Sequence, residues 1–165
     1  MASAVLAASA AATDVQRKGS GRAPAPEIDR TKTCPLLLRV FPKIGDHHHV
    51  SEFAERGREP KDEVQIYTWP DASLRELCEL VKEVRPEARK PTAKLSFAFV
   101  YPDRVGRNVL RPVGNVMSAP HRRGESDEKT LAALSFQTGD FLDVAIHPNA
   151  TSSTMHDNRD TRRYK

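Results

Sequence analysis

The sequence predicts an α+β domain, a mixed sheet of four to five strands with one main helix across one face and long loop insertions. Three observations carry the expectation. The stretch Asp71–Val84 repeats apolar residues at three- and four-residue spacing, as an amphipathic helix does. The stretches Leu36–Phe41, Glu63–Trp69 and Lys94–Tyr101 are short, rich in branched and aromatic side chains, and each followed by proline. The two ends of the 165-residue chain are built from residues that cannot form a core, which leaves one central stretch long enough to fold without a disulfide or metal staple.

Residues 1–30 are dominated by alanine, serine, glycine and proline and read as a disordered tail. Met1–Ala12 has no charged start and too short an apolar block for a secretory signal, and it lacks the arginine-bearing amphipathic pattern of an organellar transit peptide. Residues 31–148 then form the domain, and residues 149–165 a basic, flexible tail. The first strand is bounded by Pro35 and Pro42, because proline cannot donate to a strand ladder. Lys43–Asp62 is polar and rich in histidine, glutamate and glycine, and reads as an irregular insertion. The second strand, Glu63–Trp69, places Val64, Ile66 and Thr68 on one face and Gln65, Tyr67 and Trp69 on the other.

For the helix, Pro70 followed by Asp71 is a start signal, with Asp71 as the expected N-cap and Pro86 as the stop. Leu74, Leu77, Cys78, Val81 and Val84 form its apolar stripe, and Arg75, Glu76, Glu79, Lys82 and Glu83 its solvent face. In the third strand Leu95, Phe97 and Phe99 are the large alternating residues expected under that helix. A short strand is expected near Asn108–Val113, a charged loop over His121–Lys129, and a helical turn near Thr130–Leu134. Gly139–Asp140 turns into a last strand with Phe141, Asp143 and Ala145 opposite Leu142, Val144 and Ile146. The order β-β-α-β-(β)-β is that of the β-grasp, or ubiquitin-like, fold.

Charge narrows the function. Residues 1–35 carry five basic and three acidic groups and residues 148–165 four and two, so 36–147 holds 17 of each sign. The net +4 belongs to the tails, whereas a nucleic-acid-binding domain shows its basic footprint on its folded part. Ser96–Tyr101 resembles the octapeptide of RNA-recognition motifs, with Phe97 and Phe99 as stacking aromatics, but Leu95, Ser96 and Pro102 depart from it. Direct RNA or DNA binding by the sheet and basic tails is therefore the alternative reading.

No catalytic constellation emerges. There is no Gly-x-Ser-x-Gly elbow and no phosphate-binding glycine loop, and neither Cys34 nor Cys78 sits in electropositive surroundings. His47-His48-His49 beside Asp46 lacks a second cluster at ligand spacing and reads as a solvated loop, with no metal expected. Asp140 and Asp143 read as turn and exposed-face residues. The last glycine is Gly139, so the chain lacks the Gly-Gly end that a conjugated ubiquitin-like modifier needs. No apolar run approaches the ~18 residues of a membrane span.

Four blocks carry a family resemblance: Ile28–Phe41, Gln65–Trp69, Leu80–Arg89 and Phe136–Ile146. Together they resemble the family of the Sin-three-associated polypeptide of eighteen kilodaltons, over about Ile28 to Ile146. The resemblance implies a ubiquitin-like fold and a nuclear, non-catalytic adaptor subunit, with the cytoplasm also open. The partners it implies are a Sin-type corepressor with its histone deacetylase, and an RNA-recognition-motif splicing activator with an Acinus- or Pinin-type scaffold associated with the exon junction complex. Transcription factors are open as further partners, RNA contact is expected to be indirect, and no cofactor is implied. For the partner-binding surface the residues themselves nominate Tyr67, Trp69 and Phe141, large side chains expected opposite the helix. Trp69 has a second reading, as the seal of the strand-to-helix corner.

Overall fold

The computed structural model describes residues 5–7 and 28–150. Its strands are β1 (Val5–Ala7), β2 (Leu36–Ile44), β3 (Val64–Thr68), β4 (Lys94–Pro102), β5 (Asn108–Met117) and β6 (Phe141–His147). One α-helix, α1 (Leu74–Val84), and two short 3-10 helices, Val50–Phe53 and Pro86–Arg89, complete the elements. The sheet order is β1-β3-β2-β6-β4-β5. Without β1 this is the five-stranded mixed sheet of the expected β-grasp. β2 and β3 form an antiparallel pair, β6 inserts centrally and runs parallel to β2, and β4 pairs antiparallel with both β6 and β5.

The helix crosses one face of this sheet because its stripe fits there. Leu74, Leu77, Cys78 and Val81 are buried against Leu38, Val40 and Ile66 of the hairpin, and against Leu95, Phe97, Phe99, Leu142 and Val144 of the inner strands. Each large side chain so removed from water contributes about 1.5–3 kcal/mol. Phe97 and Phe99 lie in this core, as expected, and so present no stacking platform to a nucleic acid.

Several boundaries depart from expectation for local physical reasons. Ser73, not Asp71, caps the helix, its hydroxyl accepting from the Glu76 amide at 3.2 Å. The chain cannot enter the helix earlier: Ala72 turns back onto the Trp69 carbonyl, and Leu74 donates to the Lys129 carbonyl at 2.9 Å. Asp71 instead accepts from Arg30 at 3.1 Å. Pro42 lies inside β2 rather than at its end. It sits past Val40, the last β2 residue paired with β3, so its missing N–H falls where the strand has only β6 beside it.

The short strand expected near Asn108–Val113 is a ten-residue partner for the whole of β4, with a bulge where Phe97 pairs Gly114 and Ala98 pairs Pro112. At the far end of the chain, Val5–Ala7 forms a short strand within the stretch expected to be disordered. Residues 28–30 of that stretch also belong to the ordered domain, where Arg30 is bound to Asp71 and Glu76. Residues 1–4, 8–27 and 151–165 lie outside the described residues.

Two charged groups expected on the helix's solvent face and in a charged loop are anchors instead, Arg75 half-buried and Asp127 buried. Arg75 donates from Nε to Asp127 at 3.0 Å and from Nη1 to the Met117 carbonyl at 2.7 Å. Asp127, within the expected charged loop, is buried at the helix start. The pair ties the 121–129 loop to α1 and to the end of β5.

Candidate interaction surface

The sheet face turned away from α1 is built from alternate residues of β2, β3, β6 and β4. In register, Leu37 pairs with Tyr67, Arg39 with Gln65 and Phe141, and Phe41 with Asp143. Expectation left this face to solvent or a partner. The structure divides it in two, because the insertion after β2 folds back and roofs one half.

Phe53, at the end of the first 3-10 helix, is the roof's apolar plug. Its ring lies edge-on to Phe41 at 5.2 Å between centroids and tilted against Phe141 at 5.9 Å, and these rings with Val100 form a second, smaller core. Asn108 Nδ2 holds the plug from β5 by donating to the Phe53 carbonyl at 2.5 Å. His49 caps the 3-10 helix, and Glu52 returns the contact by accepting from the His49 amide at 2.8 Å.

The histidines expected in a solvated loop are the roof's polar anchor. His47 Nδ1 lies 2.6 Å from Asp143 Oδ2, and His48 Nδ1 lies 2.6 Å from Asp143 Oδ1. The other ring nitrogen of His47 meets Ser96 Oγ at 2.9 Å. Asp143, expected on an exposed face, is completely buried, and His48 is only 4% exposed. The strand alternation had placed Asp143 on the correct face. What a sequence pattern could not show is that a loop some ninety residues earlier covers it. Among the described residues no group of histidine, cysteine and carboxylate side chains is arranged to hold a metal.

Arg39 marks the edge of the roof. It donates to Glu63 from Nε and Nη2, both at 2.7 Å, and stands 3.5 Å from Glu59. Its guanidinium lies 4.7 Å from the centre of the Phe141 ring. The bidentate pair raises the Arg39 pKa and holds Glu63 below the usual carboxylate range.

The unroofed half is apolar. Leu37 and Tyr67, directly opposite each other on β2 and β3, are 38% and 37% exposed. Ile44 and Val105 are the other exposed large hydrophobics among the described residues, and neither is paired with this couple. Of the three nominated residues, Tyr67 therefore lies in the open half. Phe141 is half-buried beneath Arg39 and Phe53 at the roof's edge. Trp69 lies beyond the end of β3 and is only 8% exposed. Its indole N–H donates to the Thr33 carbonyl at 2.7 Å, and Arg30 stacks over the ring at 5.1 Å. Arg30 also donates to Glu76 at 2.9 Å from both terminal nitrogens, which raises its pKa and fastens the Ile28–Thr33 segment to the helix start. Leu37 was not nominated, although its place between two other leucines in an alternating strand carries the signal.

Comparison with known proteins adds an independent line. A family model described as Sin3 associated polypeptide p18 matches residues 27–146. A protein of Arabidopsis thaliana named histone deacetylase complex subunit SAP18 is 61% identical over 125 residues, covering 75% of this chain and 82% of its own length. Proteins of the same name from Homo sapiens and Drosophila melanogaster are 52% and 48% identical, covering 76% and 74% of this chain and 81% and 80% of their own lengths. The matched span includes both halves of the outer sheet face.

Proposed function

The chain belongs to the Sin3 associated polypeptide p18 family, and on that premise we propose that it is a non-catalytic adaptor subunit of a nuclear histone deacetylase complex. The observation that carries the adaptor reading is the Leu37–Tyr67 couple, an apolar pair left open on a face whose other half the protein roofs with its own chain. A roof that stops short of two large side chains leaves a site of the kind a partner's apolar anchor fills. The names of the relatives support the type of assembly. The family resemblance supports a Sin-type corepressor as the member contacted, and extends the proposal to a splicing-regulatory assembly with an RNA-recognition-motif activator and an Acinus- or Pinin-type scaffold. Any RNA contact is then made through these partners, in keeping with the buried Phe97 and Phe99.

The test is affinity purification from nuclei, with and without RNase, using the wild-type chain and the Leu37→Ser/Tyr67→Ala variant. Loss of deacetylase subunits from the variant, with an unchanged circular dichroism spectrum, is the expected result. Full recovery of those subunits by the folded variant would remove the surface assignment. Absence of deacetylase subunits from the wild-type sample would remove the complex.

A further inference from the structure

The two outer edges of the domain's sheet are not alike. β5 is defended: Pro112 removes a donor, the bulge opposite Phe97 and Ala98 distorts the ladder, and Arg111 adds a charge. β3 is not. Its five residues, Val-Gln-Ile-Tyr-Thr, contain no proline, no glycine and no charge, and its outer side is an open template for a further strand. The structure shows that template in use. Val5–Ala7 lies parallel along it, with Val5 opposite Gln65, Leu6 opposite Ile66 and Ala7 opposite Tyr67.

As a permanent edge this strand is poorly suited. It is three residues long where β3 offers five, it is parallel, and no hairpin fixes its register. The residue in register with Tyr67 is Ala7, and with this strand in place Leu37 and Tyr67 are still 38% and 37% exposed. An extended segment with a larger apolar residue at that register would gain both the main-chain bonds and the exposed Leu37–Tyr67 couple.

We propose that the outer edge of β3 is a strand-docking site for an extended, uncharged segment of a partner protein, with a large apolar residue opposite Tyr67, and that Val5–Ala7 occupies this site until such a segment displaces it. Binding is by β-augmentation: the backbone supplies affinity, and the residue beside Tyr67 supplies selectivity. The strand on the same chain competes at high effective concentration, so the free protein holds its edge covered and yields it only to a better-fitting strand. The proposal deepens the adaptor reading, which supplies the kind of assembly from which the partner segment comes.

The test uses the full chain, wild type and Leu6→Pro, the latter removing a donor from the resident strand. The probes are fluorescent synthetic peptides copying residues 1–12, with the natural sequence, with Ala7→Leu, and with Leu6→Pro. The Leu6→Pro protein is expected to bind the natural peptide about tenfold more tightly than wild type does, because the internal competitor is gone. The Ala7→Leu peptide is expected to bind more tightly still, and the Leu6→Pro peptide not at all. Amide shifts in NMR spectra should centre on Gln65–Thr68. Equal affinity for both proteins, no binding to the Leu6→Pro protein, or shifts centred elsewhere would overturn the proposal. So would a stable dimer of the wild-type chain in sedimentation, which would assign the edge to a second copy. Peptide binding reads the edge directly, whereas the nuclear purification reads the complex, so either can fail without the other.

Discussion

His48 Nδ1 lies 2.6 Å from Asp143 Oδ1 in the buried interior of the sheet's outer face, and His47 takes the second oxygen of the same carboxylate. The His48 amide adds a third contact at 3.2 Å. This carboxylate is what fastens the insertion to the sheet. Asp143→Ala is expected to cost about 3–5 kcal/mol in chemical denaturation, because it strands buried polar groups. Asp143→Asn, which keeps the shape and part of the hydrogen bonding, should cost less. Hydrogen exchange should show the loss concentrated in residues 46–53, and uniform loss across the domain would refute the fastening role.

Gly114 lies where β5 passes over the helix start. A methyl group there would stand 2.8 Å from Ser126 Cβ and 2.9 Å from Leu74 Cδ1. Gly114→Ala is therefore expected to destabilise the domain by about 1–3 kcal/mol through overpacking. A thermal melt shifted upward or unmoved would show that the 121–129 loop gives way at no cost.

Cys34 is exposed and Cys78 buried on the core face of α1. Burial pushes the Cys78 thiol up to about 11 from 9.0. Alkylation of the native chain at neutral pH should modify Cys34 alone, with Cys78 reacting only after denaturant is added. Because the folded value lies above the unfolded one, the Cys78 contribution to stability is complete below pH 9.0 and is lost as the pH rises through about 11. Rapid double modification of the native chain would contradict the packing described.

Glu63 is held below its ordinary value of 4.5, first of all by its hydrogen bonds from Arg39. A carboxylate with a depressed folded value contributes stability that is present above about pH 4.5 and lost as the pH falls through the folded value. Arg39→Met should flatten that acid limb in urea titrations at a series of pH values. An acid limb identical to wild type would mean that Glu63 does not use the pair.

The sequence by itself determined the frame. The helical stripe and the alternating strands sufficed for the β-grasp order, since each is a local consequence of backbone period. The same local reasoning put Phe97 and Phe99 under the helix, and Asp143 and Tyr67 on the outer face. Only the tertiary structure decided what covers that face. Asp143 meets His47 and His48, Phe53 meets Phe41, and Arg75 meets Asp127 across separations that carry no periodic signal, because loops are placed by the partners they find rather than by their own pattern. The same holds for Trp69: alternation carried it onto the outer face, but β3 ends at Thr68 and the indole turns to the Thr33 carbonyl. Leu37 and Tyr67 remain open because the roof is too short to reach them.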